Sequence, residues 1–183
     1  VGPASVEAVM RKALAIGADD AVRINMEPGD AYSTAKVISD YASGKGYDLI
    51  LCGKETIDYN GSEVGGMIAG MLDLPFVSLA TSLNVNGSNA VAEIDIENGT
   101  EEITVAMPVV ISAAKGMAEA RIPNMRGIMA ARTKQIEVIE ASEASLVEVK
   151  KFSLPAPKSA VKLIAPENVD QLVELLHSEA KVI

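Results

Sequence analysis

Asp48-Leu49-Ile50-Leu51-Cys52-Gly53-Lys54-Glu55-Thr56-Ile57-Asp58-Tyr59-Asn60-Gly61-Ser62-Glu63-Val64-Gly65-Gly66-Met67 is the stretch that decides the fold. Residues 48–52 form a compact apolar run, which predicts a strand buried on both faces. A polar, glycine-containing loop follows. From Gly61 to Leu72 the period changes, with Met67, Ile68, Met71 and Leu72 on one helical face. Strand, loop and helix in that order belong to an α/β layer. Ligands of open α/β sheets bind beyond the carboxyl ends of the strands. Glycines let backbone amides approach a phosphate, and a helix N-terminus adds a favourable dipole. Residues 53–64 are therefore the candidate site, with a nucleotide phosphate held by backbone amides and Ser62. The loop is neither a Walker A loop nor a GxGxxG fingerprint. A plain connecting loop is the competing reading.

Upstream, the same alternation repeats. Residues 5–16 place Val6, Val9, Met10, Ala13 and Leu14 at helical spacing, with Ser5 as N-cap and Gly17 as stop. Residues 21–24 read as a strand. Asp30 caps a helix from Ala31 to about Ser43, which Gly44-Lys45-Gly46 breaks. The chain opens on Val1-Gly2-Pro3, which reads as a strand end running into a helix, so the N-terminal part of the domain is expected to be missing.

Downstream, the pattern changes. Residues 76–85, 90–96 and 101–107 alternate or run apolar around Asn86-Gly87 and Asn98-Gly99, which predicts an antiparallel meander. Val109-Val110-Ile111-Ser112 is a short buried strand. Residues 121–134 form a loop leading to a short helix. Residues 150–166 are rich in Pro and Lys and read as an extended arm. Pro166-Glu167-Asn168 then starts an amphipathic helix with Val169, Leu172, Val173, Leu175 and Leu176. The expected fold is α/β: a mixed, mainly parallel sheet flanked by helices, Rossmann-like, with a meander and a C-terminal arm. The expected division is a nucleotide-binding domain over 1–150 and an arm with its helix over 151–183.

Composition removes several functions. The 183 residues carry 16 Lys+Arg and 25 Asp+Glu, a net charge of −9 that opposes nucleic-acid binding. At 49% hydrophobic and 22% charged, the chain can bury a real core. Aromatics at 3%, with no Trp, leave little for stacking on single strands. Cys52 is the single cysteine and His177 the single histidine, so neither a disulfide nor a typical N/S metal set can form within the chain. A Ser-His-Asp set would have to recruit the last helix, and no carboxylate pair stands out. No apolar run reaches the roughly 18 residues of a membrane span, and residues 1–4 lack the features of a signal peptide. A cytoplasmic protein is expected.

At the 53–64 loop the chain resembles the β subunits of electron transfer flavoproteins. The ordered matches are Gly2-Pro3-Ala4, Arg11-Lys12-Ala13-Leu14-Ala15, Gly17-Ala18-Asp19, Asp48-Leu49-Ile50-Leu51, Gly53-Lys54, Ile57-Asp58, Val64-Gly65, Leu74-Pro75 and Met107-Pro108-Val109-Val110. Arg121, Ile128-Met129-Ala130-Ala131 and Lys134-Gln135-Ile136 complete the series. The resemblance implies a heterodimer with an α subunit that holds most of the redox FAD. It implies no substrate chemistry of the chain's own, and electron flow from flavoprotein dehydrogenases to an acceptor. It also implies a buried adenine nucleotide in the β subunit: AMP in ordinary members, a second FAD in electron-bifurcating ones.

By the same resemblance, the nucleotide site takes in Val1, Gly53, Lys54, Glu55, Thr56, Ile57, Asp58, Tyr59, Asn60, Gly61, Ser62, Glu63 and Val64. Ser62-Glu63-Val64 stands where ordinary members have Asn-Gln-Thr. Gly61 to Gly65 partly echoes the bifurcating Thr-Ala-Gln-Val-Gly. AMP is favoured, and FAD stays open. The family's partner-docking loop places its apolar anchor at Met125, with Arg121, Arg126 and Arg132 able to steer acidic partners. The arm would reach across the α subunit. Two other classes compete: a stand-alone ATP-binding domain of the universal-stress type, whose glycine spacing does not match, and a hydrolase using an unrecognised carboxylate pair.

Overall fold

In the computed structural model, which describes residues 1–57, 59–158 and 160–183, helices and strands alternate as the spacing predicts. Helix α1 is Glu7–Ala15, β1 is Val22–Asn25, α2 is Ala31–Ala42, β2 is Leu49–Gly53 and α3 is Val64–Leu72. The meander is β3 (Phe76–Asn86), β4 (Asn89–Ile96) and β5 (Gly99–Ala106). Then come β6 (Val109–Ala113), α4 (Met125–Thr133), β7 (Glu137–Glu140) and α5 (Val169–Leu175). The described residues divide into two compact units, Val1–Glu148 and Val149–Ile183.

The strands of the first unit form two sheets. One has the order β2-β6-β3-β4-β5, and the other pairs β1 with β7. Pairings β2–β6, β3–β6 and β1–β7 are parallel, while β3–β4 and β4–β5 are antiparallel. The mixed, mainly parallel α/β architecture is thus observed. Strand β6 explains the packing. Val109 and Ile111 join Val77, Ala80, Ala90 and Ala92 in one core cluster. Val110 points the other way, into a cluster with Ala35, Ile68 and Ala69 from α2 and α3. Alternate side chains of a strand leave on opposite faces, so a strand buried on both must be apolar throughout.

That argument misleads for β2. Among the described residues it pairs with β6 alone, and Leu51 is 53% exposed. An apolar run reports the hydrophobicity of a strand, not how many neighbours flank it. The strand expected at residues 21–24 likewise lies in the separate two-stranded sheet.

Other local expectations shift for identifiable reasons. Ser5 is not an N-cap: it lies inside a 3₁₀ turn, Ala4–Val6, that precedes α1. Gly17 does stop the helix. Its φ of +127° accompanies an Ala18 amide bond to Ala13 O at 3.1 Å, the Schellman pattern. Helix α3 starts at Val64, not Gly61, because Asn60 and Ser62 have φ of 52° and 55°, which a right-handed helix cannot accept. The hairpin turns fall one residue from the expected dipeptides. Asn86 pairs with Asn89 around Gly87-Ser88, and Ile96 pairs with Gly99 around Glu97-Asn98. Strand β3 bulges at Leu79, whose φ is +59° and whose amide donates to Ser112 Oγ at 2.9 Å instead of to a strand.

Asp30 is the cap that the sequence predicts. Its Oδ1 accepts the Ser33 amide at 2.7 Å, and Ser33 Oγ accepts the Asp30 amide at 3.2 Å, which closes a capping box. Its Oδ2 accepts the amides of Leu146 and Val147 at 2.7 and 3.1 Å. These bonds, that of the Ser33 amide foremost, hold its pKa down from 3.8 to about 2. A depressed carboxylate adds stability above its ordinary pKa and loses it as the folded-state pKa is approached. The stability gap between wild type and Asp30→Ala, read by urea unfolding, is expected to be full well above pH 3.8 and to close towards pH 2. A gap that does not vary with pH would refute this role.

In the second unit, a 3₁₀ turn over Pro166–Asn168 leads into α5, which continues as a π turn over Leu176–Ala180. Lys162 pairs with Glu179 at 2.9 Å, folding the arm back onto this helix. Val169, Leu172 and Val173 remain exposed. His177 is an exposed side chain bonded through Nδ1 to Ile183 O at 2.9 Å.

Candidate functional site

The 53–64 loop leaves the carboxyl end of β2 and enters α3. Its described residues 53–57 and 59–63 are exposed, and Val64 is half-buried. Asp58, also expected in the site, lies outside the described residues. The Asn60 amide donates to Thr56 O at 2.9 Å, which closes one turn of the loop. The two left-handed residues, Asn60 and Ser62, then redirect the chain into the helix. The first bond of α3 runs from the Met67 amide to Glu63 O at 3.0 Å. The amides of Val64, Gly65 and Gly66 therefore have no acceptor within the helix, and the positive end of its dipole lies there.

Gly65 is needed for packing. A Cβ on it would come 3.2 Å from the Phe76 ring and 3.5 Å from Cys52 Cβ. This close approach brings the first turn of α3 down onto β2 and β3. Cys52 is half-buried there, and burial pushes its thiol pKa up, so it packs as a small apolar side chain and not as a reactive thiolate.

The side chains of the loop partner one another. Lys54 Nζ lies 3.1 Å from Glu55 Oε1, and Ser62 Oγ donates to Glu55 Oε2 at 3.3 Å. Glu55 thus occupies the two groups best suited to a phosphate. Glu63 folds back over Gly61, its carboxyl carbon 3.5 Å from where a Gly61 Cβ would sit. The first amides of a helix are the kind of donor that an anion takes. The side chains fit one once the exposed Glu55 turns out to solvent.

Val1 sits beside β1 and not in the loop's hydrogen-bond network. The Gly2 amide donates to Ile24 O at 3.0 Å, and the Gly2 carbonyl accepts from Arg23 Nη1 at 3.0 Å. Arg23 is 6% exposed and also pairs with Glu7 at 2.9 Å and with Asn25. Sequence reading missed this buried arginine, because a charge inside a four-residue strand carries no periodic signal.

The residues expected to dock a partner lie at a different place. Asn124 caps α4 by accepting the Gly127 amide at 2.8 Å, and Met125 is the first residue of the helix. Met125 is 73% exposed and Ile122, three residues before it, 91%. Within the described residues Met125 is thus an exposed side chain. Arg126 and Arg132 are exposed on the same helix, and Arg121 lies over Gly17 at the end of α1. Among the described residues no group of three potential ligands could hold a metal ion, and no helix is long and apolar enough to cross a membrane.

Comparison with known proteins shows the family. Residues 1–144 match the model of the electron transfer flavoprotein domain. The chain is 38% identical over 199 residues to the electron transfer flavoprotein subunit beta of Bacillus subtilis, covering all of this chain and 77% of that protein. It is 30% identical over 189 residues to the subunit of that name from Sus scrofa, covering 99% and 74%. The human subunit of that name is 29% identical over 180 residues, covering 96% and 71%. Those relatives are electron-transfer subunits by name, and a flavin is implied for their family. On the strand order, the loop at the end of β2 and these matches, the chain belongs to the electron transfer flavoprotein family, as a β subunit.

Proposed function

We propose that this chain is the adenine-nucleotide-holding half of a cytoplasmic two-subunit electron carrier. Its α partner would hold most of the redox FAD. The chain would hold AMP in a structural role, receive flavoprotein dehydrogenases at Met125 and pass electrons on to an acceptor, with no substrate chemistry of its own. The observation that carries the reading is the run of amides at Val64, Gly65 and Gly66, free of helical acceptors, directly after Asn60 and Ser62. Such a terminus favours a phosphate through oriented N–H groups and the helix dipole. Lys54 and Ser62 would add charge and a hydroxyl once Glu55 turns away. Exposed apolar residues on α5 support the α subunit as the surface that the arm covers.

A second FAD in place of AMP is the other reading, favoured by Gly61-Ser62-Glu63-Val64-Gly65. The test is nucleotide content. The full-length subunit is co-expressed with its α subunit, the complex is denatured, and the released nucleotides are separated and weighed. One FAD and one AMP per heterodimer are expected. Two FAD without AMP would transfer the chain to the bifurcating class. A colourless complex without nucleotide would end both readings.

A further inference from the structure

Helices α1 and α4 hold each other's ends. Arg11 Nη1, from within α1, donates to Ala131 O at 2.7 Å and to Lys134 O at 3.2 Å, at the C-terminus of α4. Lys134 Nζ, from the end of α4, donates to Ala18 O at 2.6 Å and to Asp19 O at 2.9 Å, just past the C-terminus of α1. The last carbonyls of a helix lack partners within it and carry the negative end of its dipole. A cation is their complement. Arg11 supplies that cation to α4, while Lys134 ties the end of α4 to the turn that follows α1. At the opposite end of α4, Gly127 lies so close to the Ala15 carbonyl that no side chain fits between them. Helix α4 is thus fixed at both ends against α1, and rotation or sliding would break one contact or the other. Met125 and Met129 are exposed on this clamped helix.

We infer that Arg11 and Lys134 are a reciprocal pair of positioning residues that set how α4 presents Met125 to the electron-transfer partner. This rests on the reading of Met125 as the docking anchor. Arg11 is half-buried with its guanidinium engaged by carbonyls, so its effect on a partner runs through the helix. A rigid presentation lowers the ordering cost of docking, so loosening α4 weakens association and leaves the flavin untouched.

The test uses the full-length subunit paired with its α subunit. A flavoprotein dehydrogenase that reduces the wild-type carrier is held at fixed concentration while the carrier is varied. Arg11→Met is expected to raise the KM for carrier about fivefold, with kcat, flavin absorbance and nucleotide content unchanged. Arg11→Lys, which keeps one cationic donor, should recover part of the loss. Arg11→Met combined with Met125→Ala should match Met125→Ala alone, because presentation no longer matters once the anchor is gone. Lys134→Met should repeat the pattern from the other side, and it carries the test if the Arg11→Met subunit does not assemble. An unchanged KM for both cation variants, beside a raised KM for Met125→Ala, overturns the inference and leaves the docking reading intact. Additive effects in the double variant also overturn it. No effect of Met125→Ala overturns the docking reading, and the inference with it.

Discussion

Gly127→Ala is expected to cost about 3 kcal/mol of stability, at the upper end of what overpacking a tight contact does. A Cβ on Gly127 would overlap the carbonyl oxygen of Ala15, which is backbone at the end of α1 and cannot rotate aside. Helix α4 would have to lift, taking with it the Arg11 bonds to Ala131 and Lys134. The matched control is Gly70→Ala. Gly70 lies inside α3 with nothing within 4 Å of the added methyl. It should gain about 0.5–1 kcal/mol, because alanine loses less backbone entropy than glycine in a helix. Denaturant unfolding of the two variants beside wild type measures both. Equal stability of Gly127→Ala and wild type would mean that α1 and α4 do not touch as described.

Met125→Glu is expected to reduce electron transfer from the dehydrogenase by about 30-fold in kcat/KM, the loss of one apolar hot spot worth about 2 kcal/mol. Met125 exposes most of its side chain at the first turn of α4, beside the still more exposed Ile122. A flexible thioether adapts to an apolar pocket; a carboxylate in that pocket would be buried without a partner. The fold should be indifferent, since the side chain packs little against its own chain. Flavin absorbance and unfolding midpoint should therefore match wild type while kcat/KM falls. Unchanged kcat/KM would remove Met125 from the docking surface.

The two sites differ in how far they were legible. The nucleotide loop is announced by an apolar strand, a glycine-containing polar segment and a change to helical period, all within twenty consecutive residues. Its internal pairing was not legible. That Glu55, beside Lys54 in the chain, would also take Ser62 depends on a fold of the loop, with left-handed residues at Asn60 and Ser62, that brings residues seven apart in sequence into contact. Met125 was reached only through resemblance, since a methionine in a short helix is more often core. Arg11 and Lys134 were unreadable as a pair, because Arg11 lies 120 and 123 positions from the carbonyls it holds.

By itself, then, the sequence determined most of the element order, the meander to within a residue at its turns, the Asp30 cap and the apolar run Val109–Ile111 of β6. Each follows from interactions within a few residues: periodicity, capping or a turn conformation. Only the tertiary structure decided which strands pair, β1 with β7 included, that Arg23 is buried and paired, and that Arg11 and Lys134 tie α1 and its following turn to the end of α4. Those features depend on which distant segments meet. Hydrophobic burial rewards any apolar contact without naming the partner, so the choice passes to steric fit at positions such as Gly127 and to the pairing of buried charges.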